Sequence, residues 1–119
     1  MSDFDPNIDP VDYEHYCAKV LRGHGWDVRT TQATGDHGVD VIASKNGRKG
    51  AIQCKRYSSP VGNKAVQEVC AGMRYIGGSF CAVVSNADYT RSAKQLAQSL
   101  GVLLLHHDEL RLLEEKILN

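Results

Sequence analysis

The sequence lacks a long hydrophobic run. Its longest uninterrupted aliphatic stretch, Val102 to Leu105, is far shorter than the roughly 20 apolar residues that cross a bilayer. The first ten residues, MSDFDPNIDP, are acidic and have no apolar centre, so neither a secretory signal nor a transit peptide is expected. These absences predict a cytoplasmic protein with no membrane partner.

Closely spaced cysteines and repeats are also missing. The chain has four cysteines without a CxxC pair, so the usual zinc or dithiol sites are not expected. With 119 residues, 42% of them hydrophobic and 24% charged, it suits a single globular domain. We expect this domain over residues 13–119, after an N-terminal extension of residues 1–12.

Acidic residues are absent from the middle of the chain. The formal net charge is zero, yet no Asp or Glu occurs between Val41 and Gln67. The basic residues of this stretch are Lys45, Arg48, Lys49, Lys55, Arg56 and Lys64. A local basic stripe on a neutral protein can still hold a phosphate backbone, so nucleic acid remains a candidate partner.

Hydrophobic periodicity and turn residues predict secondary structure in the order αβββαβαβα. The predicted helices begin at Pro10, after Pro60, after Thr90 and at Asp108. The predicted strands cover residues 26–32, 39–45, 50–57, 80–84 and 102–105. Because an antiparallel meander is followed by strand-helix-strand crossovers, we expect an α/β fold with a mixed five-stranded sheet and helices on both faces.

The central hairpin places polar residues together. Asn46-Gly47 is a strong signal for a two-residue turn, although residues 48–50 could lengthen or bulge it. A two-residue turn sets Asp40 opposite Gln53, with Lys55 one pleat further along. Hydrophobicity supports this register because the apolar residues must share one face. These residues are Val39, Val41, Ala43, Ile52 and Cys54.

This trio can bind a hard divalent cation. Mg²⁺ prefers oxygen ligands, and the Asp40 carboxylate, the Gln53 amide oxygen and the backbone carbonyl of Cys54 could supply them. Lys55 would then orient or help to deprotonate the attacking water, or neutralise charge on the phosphate. The alternative is an exposed ion pair between Asp40 and Lys55 beside an ordinary glutamine.

Two segments resemble the signature of a nuclease family. Residues 35–41 read GDHGVDV and residues 52–57 read IQCKRY, which is similar to the GDxGxD and QCK motifs of Mrr-like restriction endonucleases in the PD-(D/E)xK superfamily. The resemblance extends over nearly the whole chain. It implies a three-layer αβα restriction-endonuclease-like fold.

The resemblance also implies roles for individual residues. Asp40 becomes the metal-binding acid, Gln53 takes the place of the second acid, and Lys55 becomes the catalytic lysine. Glu14 matches a glutamate on the first helix that contributes to the metal site, although a carboxylate there could simply stabilise the helix N-terminus. Glutamine departs from the Asp or Glu of the broad superfamily, so metal binding is expected to be weak.

The implied activity is Mg²⁺-dependent cleavage of DNA, with Mn²⁺ as a substitute, in defence against foreign or modified DNA. Such relatives usually carry a separate DNA-recognition domain, so we expect specificity to be slight or to come from a separate recognition subunit. A homodimer or a partner is expected because double-strand cleavage needs two active sites. Two other functions stay open. One is a non-cleaving DNA-binding module that acts with a partner, and the other is a protein-interaction domain.

Several residues are secondary candidates. DNA contacts are expected from His37, Arg56, Tyr57 and Lys64, with an ordinary charged rim as the alternative. Asp36 and His37 could contact metal or phosphate, although Asp and His beside glycines in a loop are more often turn formers. Gln67 could face the site, although a solvated helix residue describes it better. The run from His106 to Glu109 suggests a metal cluster at first sight, but a strand end followed by a helix N-cap explains it better.

Overall fold

The computed structural model describes residues 4–31 and 38–118. Its helices are α1 (Pro10–Gly23), α2 (Asn63–Ile76), α3 (Arg91–Leu100) and α4 (Leu113–Leu118), the last preceded by a 3₁₀ segment (His107–Leu112). Its strands are β1 (Asp27–Thr30), β2 (Val41–Lys45), β3 (Arg48–Lys55), β4 (Phe80–Ser85) and β5 (Leu103–His106). The predicted order of elements is confirmed.

The strands form one mixed sheet in the order β1-β2-β3-β4-β5. The β1-β2-β3 meander is antiparallel, whereas β3, β4 and β5 run parallel. One hydrophobic core packs α1 and the C-terminal helical segments on one face of the sheet. A second core packs α2 and α3 on the other face. The result is the expected three-layer arrangement with a five-stranded sheet.

The helix boundaries follow local sequence signals. The Asp9 side chain caps α1 by accepting from the Asp12 N–H at 2.9 Å, and Thr90 caps α3 through the Ala93 N–H at 3.0 Å. The predicted closing helix differs, because it begins at His107 as a 3₁₀ segment and becomes α-helical only at Leu113. No helix in the described ranges combines the length and apolar character needed to cross a bilayer.

The hairpin has the predicted register. Asn46 and Gly47 both adopt positive φ, 53° and 81°, as a two-residue turn of this type requires, and Val41 pairs with Ile52. The prediction for Val39 is wrong. It packs in the α2 core rather than beside Val41, because β2 begins only at Val41 and the preceding backbone no longer follows the strand alternation.

Candidate active site

The candidate site lies where β2 ends its pairing with β3. The pairing stops at Val41 and Ile52, whereas β3 continues to Lys55. Asp40, the residue before β2, still bonds to β3. Its N–H donates to the Ile52 carbonyl at 2.9 Å, and its Oδ2 accepts from the Cys54 N–H at 2.8 Å. The carboxylate is therefore fixed against the open edge of β3.

Cys54 can contribute its backbone but not its thiol. The side chain is buried in the core beneath α1. A hydrogen bond with Cys17 and, to a lesser extent, burial raise the pKa of the thiol well above its ordinary value. The N–H and C=O of one strand residue point toward the same neighbour. Since the Cys54 N–H meets Asp40, its carbonyl oxygen is directed to the same open edge.

Gln53 carries a buried oxygen without a partner. The side chain is only 5% exposed, and its Nε2 donates to Glu68 Oε1 at 3.1 Å. Its Oε1 is fully buried and has no hydrogen-bond partner among the described residues. Burying an unsatisfied acceptor costs about 1–3 kcal/mol, which a hard cation at this oxygen would offset.

Lys55 is partly buried, with 23% of its side chain exposed, and its Nζ lies 3.9 Å from Glu68 Oε1. The close carboxylate partner of the ammonium is therefore Glu68 rather than Asp40. Lys55 nevertheless acts on Asp40 electrostatically, since burial raises the pKa of that carboxyl and the charge of Lys55 partly opposes the rise. The surroundings do not fit a simple, fully exposed Asp40–Lys55 pair.

Two carboxyl groups at the site have raised pKa values. Burial and the negative charge of Asp40 raise the pKa of Glu14 to about 7. Burial also raises the pKa of Asp40, and Glu68 adds to this, while the Cys54 N–H and Lys55 act in the opposite direction. Closely placed, desolvated acids of this kind disfavour their own charged forms. The donor set of carboxylate, amide and carbonyl oxygens fits a hard divalent cation such as Mg²⁺.

Sequence reasoning missed Glu68, which contacts both Gln53 and Lys55. It belongs to the second turn of α2, one residue beyond the exposed Gln67. A helical signal was present, because Glu68 lies three residues after Ala65 and four before Gly72, and both are buried. Residues at this spacing share a helix face, so Glu68 flanks the buried stripe.

Gly38, from the GDxGxD motif, fixes the distance between the Asp40 segment and α2. Its φ is +72°, and an added Cβ would overlap the backbone carbonyl of Glu68. Only glycine combines this conformation with such a close approach. The motif therefore encodes a contact between the loop before Asp40 and the helix that carries Glu68.

The predicted DNA contacts differ in their surroundings. Arg56 donates from Nε to the Ile8 carbonyl at 2.7 Å, so part of its guanidinium holds the N-terminal segment. Tyr57 is 39% exposed, and the Lys55 ammonium lies 5.7 Å from the centre of its ring. Lys64 is exposed in the first turn of α2. His37 and Asp36 lie outside the described residues.

The basic residues divide between the two ends of β3. Lys45 lies beside the hairpin turn, where it bridges Glu114 at 2.8 Å and donates to the His24 carbonyl. Lys55 and Arg56 lie at the other end of this strand of eight residues, about 20 Å away at the usual rise per residue. The predicted stripe is thus two separate groups, and the group near Lys55 adjoins the site.

His106, His107 and Asp108 bring three possible ligand atoms within 4.8 Å of one another. Capping explains this closeness. His106 Nδ1 accepts from the Asp108 N–H at 3.1 Å, and the His106 N–H donates to Glu109 Oε1 at 2.8 Å. His107 Nδ1 and the Tyr13 hydroxyl are hydrogen bonded at 3.1 Å. The predicted strand end and N-cap is confirmed.

Comparison with known proteins identifies the family. A family model described as restriction endonuclease, Mrr_cat, matches residues 6–113. The chain belongs to this restriction endonuclease family. The predicted resemblance to Mrr-like nucleases is thereby confirmed. No protein with a curated description matches the sequence significantly.

Solved structures show the same fold. AF1548, a protein of unknown function, has a TM-score of 0.70 at 23% identity, with 82% of this chain and 58% of that chain covered. The MspJI restriction endonuclease, in complex with a 27-mer oligonucleotide, has a TM-score of 0.61 at 20% identity, covering 85% and 26%.

A third similar structure is AspBHI, a DNA modification-dependent restriction endonuclease. Its TM-score is 0.54 at 15% identity, and the alignment covers 93% of this chain and 39% of that one. The chain thus spans between 26% and 58% of these three proteins. The predicted restriction-endonuclease-like fold is confirmed.

Proposed function

We propose that this chain is a Mg²⁺-dependent endonuclease that hydrolyses DNA phosphodiester bonds in defence against foreign or modified DNA. The observation that carries the proposal is the unpartnered, buried Oε1 of Gln53, at the open strand edge that Asp40 completes. A buried acceptor of this kind requires an explanation. A cation that it shares with Asp40 and the Cys54 carbonyl provides one, and Glu14 is the fourth candidate ligand.

The proposed reaction divides the work among the side chains. When bound, Mg²⁺ would supply Lewis-acid polarisation of the scissile phosphate. Asp40, restrained by the Cys54 N–H, holds negative charge at a fixed position beside Gln53. Lys55, whose ammonium is partly shielded from solvent, places positive charge where the phosphate becomes more negative and can orient the attacking water.

Recognition of the DNA target would depend on more than this chain. MspJI has been solved with an oligonucleotide and AspBHI is described as modification-dependent, and both are longer than the region matched here. We expect DNA contacts from Arg56, Tyr57, Lys64 and His37. Recognition of modified bases would come from a partner or a separate domain, and double-strand cleavage from a homodimer, since it needs two sites.

Plasmid cleavage tests the proposal directly. Purified protein is incubated with unmodified and methylated supercoiled plasmids in Mg²⁺, Mn²⁺ or chelator, alongside Asp40→Asn. The parent should nick with either metal and not with chelator, and Asp40→Asn should lose cleavage while keeping or gaining DNA affinity, because a negative charge facing phosphate has gone. Cleavage by Asp40→Asn at the parental rate would overturn the assignment.

DNA affinity gives a second, independent measurement. Each phosphate contact contributes about 0.9 to the slope of log affinity against log salt on duplex DNA. Lys64→Ala should lower this slope by about one contact, whereas Lys94→Ala, at an exposed position of α3, should leave it unchanged. Equal slopes for the parent and Lys64→Ala would remove Lys64 from the interface.

One observation favours a non-cleaving DNA-binding module as the second candidate. The Lys55 ammonium lies 3.9 Å from the Glu68 carboxylate, and an ammonium neutralised by this partner would bind DNA phosphate without activating the attacking water. Such a module would bind DNA with the expected salt dependence but leave plasmid intact under every metal condition.

A further inference from the structure

Resting on the proposed nuclease function, we infer that Glu68 is a positioning residue that orients the Gln53 amide so that its oxygen faces the cation. A glutamine at a metal-ligand position has a weakness that an acid lacks, because its amide can turn by half a rotation. The wrong orientation would aim an NH₂ group at the cation. Something in the chain must therefore fix the amide.

The Glu68 carboxylate supplies this constraint. An ionised carboxylate only accepts hydrogen bonds, so the group that meets Glu68 Oε1 at 3.1 Å must be the donor end of the amide, Nε2. Turning the amide around would bring two acceptor oxygens together and leave the NH₂ group buried without an acceptor. Glu68 thus makes the orientation with a buried, unpartnered Oε1 the favoured one.

The position of Glu68 is itself restrained. Its backbone carbonyl lies against Gly38, where a Cβ would not fit, and this contact ties α2 to the segment that ends at Asp40. The same Oε1 that receives Gln53 also lies 3.9 Å from the Lys55 ammonium. The Oε1 oxygen of Glu68 therefore orients the amide of the candidate ligand Gln53 and also lies beside the ammonium of the candidate catalytic residue Lys55.

A double-mutant cycle on metal binding tests the role of Glu68. Mn²⁺ affinity is measured on the DNA-free protein for the parent, Glu68→Gln, Gln53→Met and the double variant. Loss of an outer partner of a ligand typically weakens metal binding by roughly 10- to 100-fold, and Glu68→Gln should do so in the parent. With Met at position 53 there is no amide to orient, so the same change should cost less than about threefold.

Two comparisons make the cycle decisive. Glu115→Gln removes an equal charge at an exposed position of α4 and should leave Mn²⁺ affinity unchanged. The swap Gln53→Glu with Glu68→Gln should restore affinity, because the new amide at 68 can donate to the new carboxylate at 53. An equal loss from Glu68→Gln with Gln or Met at position 53 would overturn the positioning role, since a direct ligand or a general charge effect would not depend on Gln53.

The orientation can also be measured without metal or cleavage. In NMR spectra of the metal-free parent, the side-chain amide protons of Gln53 should exchange slowly with solvent, and Glu68→Gln should accelerate their exchange. Rapid exchange in the parent would overturn the role of Glu68 while leaving the nuclease proposal intact. A parent that binds Mn²⁺ and shows the Glu68 effect but cuts no DNA would overturn only the nuclease proposal.

Discussion

Two groups of polar side chains lie at the carboxyl ends of the parallel strands, one after β3 and one after β5. In the group after β5, His106 caps the 3₁₀ segment, and His107 is hydrogen bonded to Tyr13. In the group after β3, the Gln53 oxygen is buried without a partner, and the pKa values of Glu14 and Asp40 are raised. Within residues 4–31 and 38–118, a buried side-chain polar atom without a hydrogen-bond partner occurs in the group after β3 and not in the group after β5.

Whether the polar atoms have partners within the protein distinguishes a structural role from a proposed functional role better than the residue types do. Histidines beside an aspartate look more like a metal site than a glutamine beside a lysine does. Yet the histidines already have protein partners, so their presence is explained by the stability they give to the chain end. The group at β3 lacks such an explanation, and a polar site that costs free energy in the empty protein is a candidate for ligand binding.

The largest expected difference between the two groups is in cleavage. Lys55→Ala should reduce plasmid nicking by at least about 10²-fold, the usual effect of removing a charge-stabilising group from an active site. His106→Ala should leave nicking within about twofold of the parent, since it changes only the group after β5. The rates are measured with saturating Mg²⁺ after thermal unfolding has shown that each variant is folded.

The comparison would fail in either of two ways. Undiminished nicking by Lys55→Ala, prepared free of contaminating nucleases, would remove Lys55 from the reaction. A loss for His106→Ala equal to that for Lys55→Ala would show that the group after β5 takes part in the chemistry.

A large effect on stability is expected at Gly38. Alanine at this positive φ costs about 1–2 kcal/mol from conformation alone, and its Cβ would in addition overlap the Glu68 carbonyl. Urea denaturation of Gly38→Ala should therefore show a free energy of unfolding lower by at least this amount. Gly23→Ala is the matched control, because Gly23 ends α1 and a Cβ there meets nothing within 4 Å.

The cap after β5 should give a smaller loss of stability. His106→Ala removes the acceptor for the Asp108 N–H and should lower the free energy of unfolding by about 1 kcal/mol, as loss of an N-cap does. His106→Asn should retain most of the stability, because Asn is a good N-cap residue. Equal destabilisation by Ala and Asn would show that the cap is not what His106 contributes.

Most of the fold could be predicted from the sequence because its signals are local. Asp9 and Thr90 cap the predicted helices, and Asn46-Gly47 fixes the hairpin register that pairs Val41 with Ile52. The prediction for Val39 was wrong because a strand pattern in the sequence does not show where strand pairing stops. Tertiary structure determines where β2 stops pairing with β3, and this leaves the open edge at which the site is proposed.

The site could be predicted only in part for a similar reason. Asp40, Gln53 and Lys55 come together through one hairpin, which a motif and a register can describe. Glu68 comes from α2, and its contact with Gln53 depends on how this helix packs against the sheet, which no hairpin register describes. The assigned roles of these residues remain predictions that the proposed experiments test.

The smallest expected effect is a gain of stability at the site when a charge is removed. The pKa of Glu14 is raised to about 7 from an ordinary value of 4.5, so between these values the folded protein binds a proton that the unfolded chain has lost. The contribution of Glu14 to the free energy of unfolding therefore falls as pH rises through this window and levels off above it. Without metal, Glu14→Gln should remove this contribution and lose less stability than the parent across the window. At about pH 8 its free energy of unfolding should exceed that of the parent by on the order of 1 kcal/mol or less, because solvent screens a half-exposed group. Urea denaturation in chelator from about pH 4 to pH 8 measures the effect, and the free energy of unfolding of Glu115→Gln on α4 should change with pH as that of the parent does.

Saturating Mg²⁺ should reverse the order by stabilising the parent more than Glu14→Gln. If the parent and Glu14→Gln lost stability in parallel across the window, Glu14 would not be a carboxyl group with a raised pKa. The contrast between the two polar groups would then rest on Asp40 and Gln53 alone.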